Sequence, residues 1–348
     1  MKSSKKSDRR RRTASRSYYD LTRSPFYRLE RRTDLAKLLN LSDSKMKELV
    51  ETRAELYDVR EDDTSGKTRT LQVPQRAMRR CHDRLLHLLR RIRLPGYIRS
   101  PRKRSSAWQN AEIHASGKFV TSFDLKRFYP STTEEHIFRL FKYRFEMSDD
   151  CSRVLAQIAT YDGFLPQGSP SSPHLACLAH LDMFEDAAVL AVDAANTLSV
   201  WVDDIVISGP APRRDIVESI KNRARDKGLK THKDQRGGGK KGIELTGSFL
   251  RNGKIAVANS SHIKIRDLTR ELQATTDPHD RYGLFNRLAA MTRHQRTVIK
   301  SSGGDIQKLN ARLSYYKREM QKLNSSLSTT LPQIAADLLH KDCDGDPF

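Results

Sequence analysis

The sequence predicts an α+β fold, because strand-like and helix-like segments follow one another without a long internal repeat. Two stretches have the pattern of β-hairpins. Residues 198–209 place two adjacent aspartates between runs of β-branched residues, and residues 244–258 contain Asn252 and Gly253, a pair that suits a type I′ turn. The last third of the chain carries apolar residues at spacings of three and four, which predicts helices.

The other elements follow from local patterns. Ser42 is a candidate helix N-cap, and apolar residues recur at helical spacing from Met78 to Ile92 with arginines on the other face. The elements are expected in this order: a disordered basic arm (1–24), short helices (35–56), an extended run ending at Pro74, an amphipathic helix (75–92), a basic loop (94–109), a strand that breaks at Pro130 (118–131), a helix (133–145), a tight loop rich in Gly, Ser and Pro (165–173), a buried helix (174–195) and, after the first hairpin, an amphipathic helix (212–228).

The C-terminal helical pattern resembles a coiled coil. Apolar residues from Ile306 to Leu327 alternate at spacings of three and four over about three heptads. Because a polar Ser/Thr stretch soon follows, one helix packing on its own domain is favoured over a dimeric zipper.

The net charge of +22 indicates a polyanionic partner, with nucleic acid favoured over an anionic membrane surface. Basic residues concentrate in three separate segments. Residues 1–16 hold eight Lys/Arg against one acid, residues 76–104 hold eleven against one, and a third cluster lies at 225–241. Three such segments predict a long basic groove rather than one patch.

The chain lacks the patterns of export, of a membrane span and of a cysteine framework. No stretch approaches the roughly 18 apolar residues that a bilayer requires, and the basic N-terminus is not followed by an apolar region. We therefore expect a cytoplasmic protein without membrane partners. The four cysteines are scattered without a C-x-x-C pair, which predicts reduced thiols and neither zinc nor disulfides; they are Cys81, Cys151, Cys177 and Cys343.

Three carboxylates carry the chemical prediction. Asp124 ends an apolar strand, and Asp203 and Asp204 occupy the turn of the first hairpin. An aspartate in a turn is often only a backbone hydrogen-bonding group, so the pair alone decides nothing. Together, the three can hold two Mg²⁺ ions, with Mn²⁺ as an expected substitute, and such a site in a basic protein suits nucleotidyl transfer.

The order of these blocks resembles the palm of reverse transcriptases. A carboxylate strand, the loop "LPQGSPSSP" with a helix behind it, and the Asp pair after Trp201 and Val202 come in sequence; the family usually has Tyr-Ala or a near variant before the pair. The resemblance implies a right-hand polymerase fold and RNA-directed DNA synthesis. It implies fingers with N-terminal helices over 25–117, a palm over 118–262 and a helical thumb with a tail over 263–348.

The same resemblance implies a nucleotide site. Lys67 and Arg69 in "GKTRTLQVP" would meet the triphosphate, Tyr129 would block a ribose 2′-OH, and Gln167 and Gly168 match the family's loop. Lys233 resembles the family's lysine near the nucleotide phosphates, with Lys230 as a rival.

Two short signatures resemble those of retron reverse transcriptases. The first is Asn110-Ala111-x-x-His114, and the second is Leu245-Thr246-Gly247, where the family usually begins with Val. We expect an RNA-recognition surface from these signatures and the preceding arginines; its residues are Asn110, His114, Arg99, Arg102, Arg104, Thr246 and Gly247.

The retron resemblance implies a structured RNA partner, deoxynucleotide triphosphates and branched RNA-linked DNA primed from a 2′-OH. It also implies a role in antiphage defence with a separate effector protein. Other bacterial reverse transcriptases remain alternatives: a group II intron maturase usually carries a longer domain after the palm, a diversity-generating enzyme typically departs from the Gln-Gly loop, and an abortive-infection enzyme is the closest rival. The alternative that is not an enzyme is a structural RNA-binding protein whose palm is catalytically inactive.

Overall fold

The computed structural model describes residues 18–62, 68–103, 105–211 and 213–341, the last sixteen of these by backbone alone. Its strands are β1 (Tyr57–Asp62), β2 (Arg69–Pro74), β3 (Ile98–Ser100), β4 (Phe119–Leu125), β5 (Thr197–Trp201), β6 (Asp204–Gly209), β7 (Thr231–Gly237), β8 (Ile243–Leu245), β9 (Ser248–Arg251) and β10 (Lys254–Val257). Its helices are α1 (Arg32–Leu38), α2 (Asp43–Glu51), α3 (Arg76–Leu89), α4 (Ala107–Glu112), α5 (Phe128–Ser131), α6 (Glu134–Arg139), α7 (Asp149–Ala159), α8 (Ser172–Ala179), α9 (Leu181–Asp193), α10 (Arg214–Asp226), α11 (Asn259–Ala274), α12 (Pro278–Ser301) and α13 (Gln307–Lys341).

The contacts divide the chain into two units. The first unit consists of Met1–Lys103, Leu125–Asp186 and Asn222–Thr231. The second consists of Arg104–Asp124, Ala187–Lys221 and His232–Phe348. Each unit is thus built from three separate stretches of the sequence.

The first unit is mainly helical around an aromatic core. The rings of Phe26, Phe141 and Phe145 lie with their centroids 5.3–6.0 Å apart. β1 and β2 form an antiparallel ribbon, and α3 follows β2 directly. The helix α3 buries the apolar face that its spacing predicts, including Met78 and Leu85, because residues three and four apart share one face of a helix.

The second unit combines two sheets with a helical layer. The strands β5, β6, β4 and β7 are neighbours in that order, and β10, β9 and β8 form a second sheet. The helices α11, α12 and α13 share a core whose buried members are Leu268, Leu272, Leu284, Phe285, Leu288, Ala289 and Tyr316. Leu313, Met320 and Leu323 of the C-terminal apolar stripe pack against this cluster, so that stripe packs within its own unit.

Two tight turns shape the second sheet. Asn252 and Gly253 have φ angles of 49° and 73°, and they join β9 to β10. Two positive φ values in a two-residue loop are the type I′ pattern, which confirms the turn expected from the sequence. Thr246 and Gly247, with φ of 47° and 81°, connect β8 to β9 in the same manner.

Most expected elements are present, and four differ in detail. The described end of the arm expected to be disordered over 1–24 contains a 3-10 helix, Leu21–Arg23, and the Tyr19 hydroxyl donates to the Leu88 oxygen at 2.7 Å. The strand expected over 118–131 ends at Leu125, and Pro130 lies in the short helix α5.

The Ser42 hydroxyl accepts a hydrogen bond from the Lys45 backbone nitrogen, which confirms the N-cap. The single helix expected over 174–195 is two helices, α8 and α9, which meet at His180. The expected basic loop over 94–109 contains β3 and the start of α4, where Ser106 forms a capping box with Gln109.

The thiol prediction holds for the described cysteines. Cys81, Cys151 and Cys177 are free and buried, and Cys343 lies outside the described residues. Across the residues that the structure describes, no helix is both long and apolar enough to cross a membrane.

Candidate active site

The three carboxylates lie together at one end of the larger sheet in the second unit. Asp124 on β4 is the cross-strand partner of Asp204, the first residue of β6. Directly opposed residues of antiparallel strands hold their Cβ atoms about 5 Å apart, so these two side chains are neighbours. Asp203 precedes Asp204 in the two-residue turn that joins β5 to β6.

The turn that carries the aspartates is strained. Trp201 pairs with Asp204, so the loop residues are Val202 and Asp203 rather than the two aspartates. Val202 has a φ of 60°, a region that a β-branched residue rarely occupies. Such a conformation costs on the order of 1 kcal/mol or more and persists where the surrounding structure enforces it.

Asp204 carries a strongly shifted pKa. Burial, together with the charges of Asp203 and Asp124, raises the pKa of Asp204 to about 7. The ammonium group of Lys233 acts in the opposite direction. The site therefore holds more negative charge than its own cations neutralise, and a carboxyl group in it takes up a proton near neutral pH.

Asp124 is buried, with 6% of its surface exposed, and two side chains of β7 approach it. The Lys233 Nζ donates to Asp124 Oδ2 at 3.0 Å. The His232 Nδ1 lies 3.0 Å from Asp124 Oδ1 but lacks the geometry of a hydrogen bond. Apart from this contact with His232, no donor among the described residues reaches Oδ1.

The chemistry of this donor set suits a divalent cation, although its spacing does not yet form a closed site: among the described residues, the group whose ligand atoms lie within 4.8 Å of one another is the exposed set Asp277, His279 and Asp280. The oxygen ligands of three carboxylates suit Mg²⁺, which usually takes one or two carboxylates together with substrate phosphates. Asp124 Oδ1 has no hydrogen bond, and the pKa of Asp204 is raised. A bound cation would contact the first group and lower the pKa of the second.

A cavity of about 510 Å³ opens beside the carboxylates. Its lining residues come from β4, β6, β7, β8, the following turn and α11; they are Ser122, Phe123, Asp124, Asp204, Val206, Lys233, Gln235, Glu244, Leu245, Thr246, Gly247 and Lys264. Sequence reasoning included Thr246 and Gly247 but missed His232, Glu244 and Lys264. His232 is adjacent to Lys233 and Glu244 is adjacent to the Leu245 signature, yet only the fold brings His232 to Asp124 and Glu244 to the cavity wall.

Of the two candidate lysines, Lys233 is the one that contacts Asp124. Lys233 contacts Asp124 from β7, where its φ is 56°. Lys230 precedes β7, its side chain is exposed, and its backbone oxygen accepts a hydrogen bond from the Lys126 nitrogen.

The expected RNA-recognition surface needs correction at Asn110 and His114, because both side chains are fully buried. His114 bonds Ser208 through Nδ1 at 2.7 Å and Ser199 through Nε2 at 2.8 Å. Neither polar atom of the Asn110 amide has a hydrogen-bond partner among the described residues. A side chain without solvent exposure cannot offer its atoms to RNA, so this pair lies in the interior of the second unit.

The other predicted RNA contacts differ in accessibility. Arg102 is exposed and Arg99 is partly buried, both in the first unit, while Arg104 lies outside the described residues. Thr246 and Gly247 form the β8–β9 turn on the wall of the cavity. The Thr246 hydroxyl donates to the Ala107 oxygen at 3.0 Å, and the Gly247 oxygen accepts from Ser261 at 3.1 Å.

The remaining predicted nucleotide residues belong to the first unit. Arg69 is exposed on β2, and Tyr129 on α5 is partly buried, its ring centroid 6.0 Å from that of Phe128. Lys67 lies outside the described residues.

The Gln167-Gly168 loop packs closely against β2 and is hydrogen-bonded to it. The Gln167 nitrogen donates to Gln72 Oε1 at 3.1 Å. A Cβ atom on Gly168 would lie 2.7 Å from both the Gln72 oxygen and Val73 Cγ2, so this close approach requires glycine.

Comparisons with known proteins agree with this arrangement. A protein-family model described as reverse transcriptase (RNA-dependent DNA polymerase) matches residues 59–240, more than half of the chain. The Retron Ec86 reverse transcriptase of Escherichia coli is 30% identical over 149 residues, covering 42% of this chain and 46% of that protein. The Retron Se72 reverse transcriptase of Salmonella heidelberg (strain 579083-10) is 24% identical over 143 residues, covering 41% and 38%. The matches thus span less than half the length of these curated relatives.

Proposed function

Because the chain belongs to the reverse transcriptase family and is of the retron type, we propose that it is an RNA-directed DNA polymerase. The observation that carries this proposal is the pairing of Asp124 with Asp204 beside Asp203, with Lys233 bonded to Asp124. The alternative of an inactive RNA-binding protein gives no reason for three carboxylates to be gathered against their mutual repulsion.

Asp124, Asp203 and Asp204 would hold two Mg²⁺ ions, or Mn²⁺ in their place. Bound in this way, such ions lower the pKa of an attacking hydroxyl and stabilise the charge of a leaving pyrophosphate. The strands β4 and β6 fix the carboxylates before substrate arrives, so little reorganisation is needed at the moment of reaction. The unsatisfied oxygen of Asp124 supports this assignment.

The nucleotide would be bound by cations from several segments. Lys233 would exchange its contact with Asp124 for the triphosphate, and Lys67 and Arg69 would add a point charge and a guanidinium fork. Tyr129 would exclude a ribose 2′-OH. Gln167 and Gly168 would support the nucleotide through the loop that is fastened to β2.

The proposed fold is a right hand with fingers over 25–117, a palm over 118–262 and a thumb over 263–348. Arg99, Arg102 and Arg104 would bind the RNA backbone, which supplies salt-dependent affinity without sequence information. Thr246 and Gly247 would lie beside the primer end.

The proposed product is branched, RNA-linked single-stranded DNA, copied from a structured non-coding RNA and primed at a 2′-OH. The two retron relatives support this proposal. A role in antiphage defence, a separate effector protein and a cytoplasmic location complete it. Sequencing the nucleic acid that copurifies with the protein tests the product, because a branched RNA–DNA species is expected and its absence would contradict the retron-specific part.

The test of the enzymatic proposal is the substitution Asp203→Asn. Extension of a primed template in Mg²⁺ should fall by about 10³-fold or more, because several kcal/mol of transition-state stabilisation is lost with the ligand. RNA binding should change little, since the basic residues are untouched. The matched control is Asp193→Asn, which changes an exposed aspartate of α9 and should leave both properties unchanged. Near-wild-type extension by the Asp203 variant would refute the assignment.

A further inference from the structure

A buried histidine of the first unit bonds two segments that lie far apart in the sequence. His82 on α3 has none of its surface exposed. Its Nε2 lies 2.7 Å from the hydroxyl of Tyr57, the first residue of β1. Its Nδ1 lies 2.7 Å from the Ser171 hydroxyl and 2.8 Å from the Ser169 hydroxyl, both in the loop that follows Gly168. Each ring nitrogen is thus bonded to a different segment.

The charge state of His82 suits this bridging position. Burial lowers the pKa of His82 to about 3, and the charge of Arg79 acts in the same direction. The ring is therefore neutral near pH 7, with one nitrogen donating a hydrogen bond and the other accepting one. A hydroxyl group can donate or accept, so the tyrosine on one side and the serines on the other satisfy both nitrogens. Breaking either bond leaves buried polar groups unpaired, which makes the link a stable one.

The two segments joined by His82 carry groups that the proposed polymerase would use to bind the nucleotide. β1 and β2 form one ribbon, with Tyr57 at one end and Arg69 at the other. The loop that holds both serines also contains Gln167, whose nitrogen is bonded to Gln72 of β2. The ribbon and the loop are therefore joined at two places, directly at Gln72 and through His82 at Tyr57.

We propose that His82 is a positioning residue that holds the β1–β2 ribbon and the Gln167-Gly168 loop in the arrangement that binds the incoming deoxynucleotide triphosphate. This inference rests on the proposed polymerase function and adds a residue to its nucleotide site. Groups that are in place before a ligand arrives need not be ordered when it binds, so affinity is higher. Loss of the link should weaken nucleotide binding. The chemical step should change little, because the three aspartates belong to the other unit.

The test breaks the link at each end separately. Tyr57→Phe removes the hydroxyl on the ribbon side, and Ser169→Ala/Ser171→Ala removes both hydroxyls on the loop side. Extension of a primed template by the full chain in Mg²⁺, with the deoxynucleotide concentration varied, gives kcat and KM for each variant. Each variant should raise the nucleotide KM by about five- to tenfold, the effect of about one hydrogen bond. The kcat should stay within about twofold of wild type.

Combining the two changes distinguishes a link from two independent effects. If His82 joins the segments, breaking both ends loosens them no further than breaking one. The combined variant should therefore have about the KM of the more affected of the two, rather than a KM raised by the product of their effects. The matched control is Tyr97→Phe, which also removes a buried tyrosine hydroxyl of the first unit. That hydroxyl has no hydrogen-bond partner among the described residues, so the KM should not change.

Substitution of the histidine itself completes the test. His82→Ala should raise the nucleotide KM at least as much as Tyr57→Phe, and His82→Asn, which keeps one donor and one acceptor, should recover part of the loss. If His82→Ala does not fold, the variants at Tyr57 and the serines still decide. An unchanged KM in them, increases that multiply when combined, a loss of kcat alone, or an equal increase in Tyr97→Phe would overturn the role of His82. Absence of DNA synthesis by the wild-type chain would instead overturn the proposed function on which it rests.

Discussion

Replacing His114 with alanine should destabilise the second unit and disturb the site that the unit carries. The imidazole is fully buried and bonds two serine hydroxyls, at 2.7 Å to Ser208 and 2.8 Å to Ser199. His114→Ala leaves both hydroxyls without this partner, at a cost of about 1–3 kcal/mol for each buried group that stays unsatisfied. The vacated volume adds a cavity term, so the total is at least about 3 kcal/mol.

A loss of this size is measurable as a change in the unfolding temperature. For a unit of this length, 1 kcal/mol corresponds to roughly 2–4 °C, so His114→Ala should unfold about 10 °C below wild type. The measurement is thermal unfolding followed by circular dichroism. The double variant Ser199→Ala/Ser208→Ala, with His114 retained, separates the serine contribution from the cavity.

The activity of the His114 variant distinguishes a buried support from an RNA contact. Ser199 lies on β5 and Ser208 on β6, the two strands joined by the Val202-Asp203 turn beside Asp204. Loss of His114 should therefore reduce extension of an unrelated primed template as well as priming on the cognate RNA. An unfolding temperature within about 1 °C of wild type, with loss confined to the cognate RNA, would refute this reasoning.

Three further predictions concern the pKa of Asp204, the sugar selectivity proposed for Tyr129 and the Gln167-Gly168 loop. Burial and the charges of Asp203 and Asp124 raise the pKa of Asp204 from 3.8 to about 7. Protonation of Asp204 therefore stabilises the folded state relative to the unfolded state, and this stabilisation is lost as the pH rises from about 4 through 7. Mg²⁺ should then raise the unfolding temperature more at pH 8 than at pH 6, and an equal rise at both would contradict the assignment. Tyr129→Ala should raise the ratio of ribo- to deoxynucleotide incorporation, and an unchanged ratio would leave Tyr129 as a packing residue. Gly168→Ala should lower the unfolding temperature because the added Cβ meets β2 backbone at 2.7 Å, whereas Gly283→Ala, with open space at its Cβ, should not.

Local patterns predicted the elements well because their causes are local. The helical spacing from Met78 to Ile92, the Ser42 cap and the Asn252-Gly253 turn each depend on residues within a few positions, and the structure contains all three. The helix expected over 174–195 is interrupted at His180, a fully buried residue whose Nε2 lies 3.1 Å from the Thr132 hydroxyl. That partner is distant in sequence, so no local pattern could indicate the break.

The sequence predicts those site residues whose type and position are unusual in themselves. It does not predict residues that reach the site only because the fold places them there. Three aspartates at strand ends of a basic protein are conspicuous in the sequence, and they lie together in the structure. Glu244 and Lys264 are ordinary charged residues by sequence, and they join the site because β8 and α11 bring them to its wall. Asn110 and His114 were misjudged for the opposite reason, since polar residues after a basic segment suggest a surface, whereas burial depends on the whole fold.

The burial of the first signature gives it a physical role in the site. The helix α4, which carries the start of this signature, begins at Ala107, whose oxygen accepts from Thr246 of the turn that lines the cavity beside Asp204. The signature ends at His114, which bonds both strands of the hairpin that carries Asp203 and Asp204. The two signatures therefore form one connected structure between the cavity wall and Asp204. A change in this segment should alter the relative position of primer end and carboxylates for every template, which is why the comparison between cognate and unrelated templates is decisive.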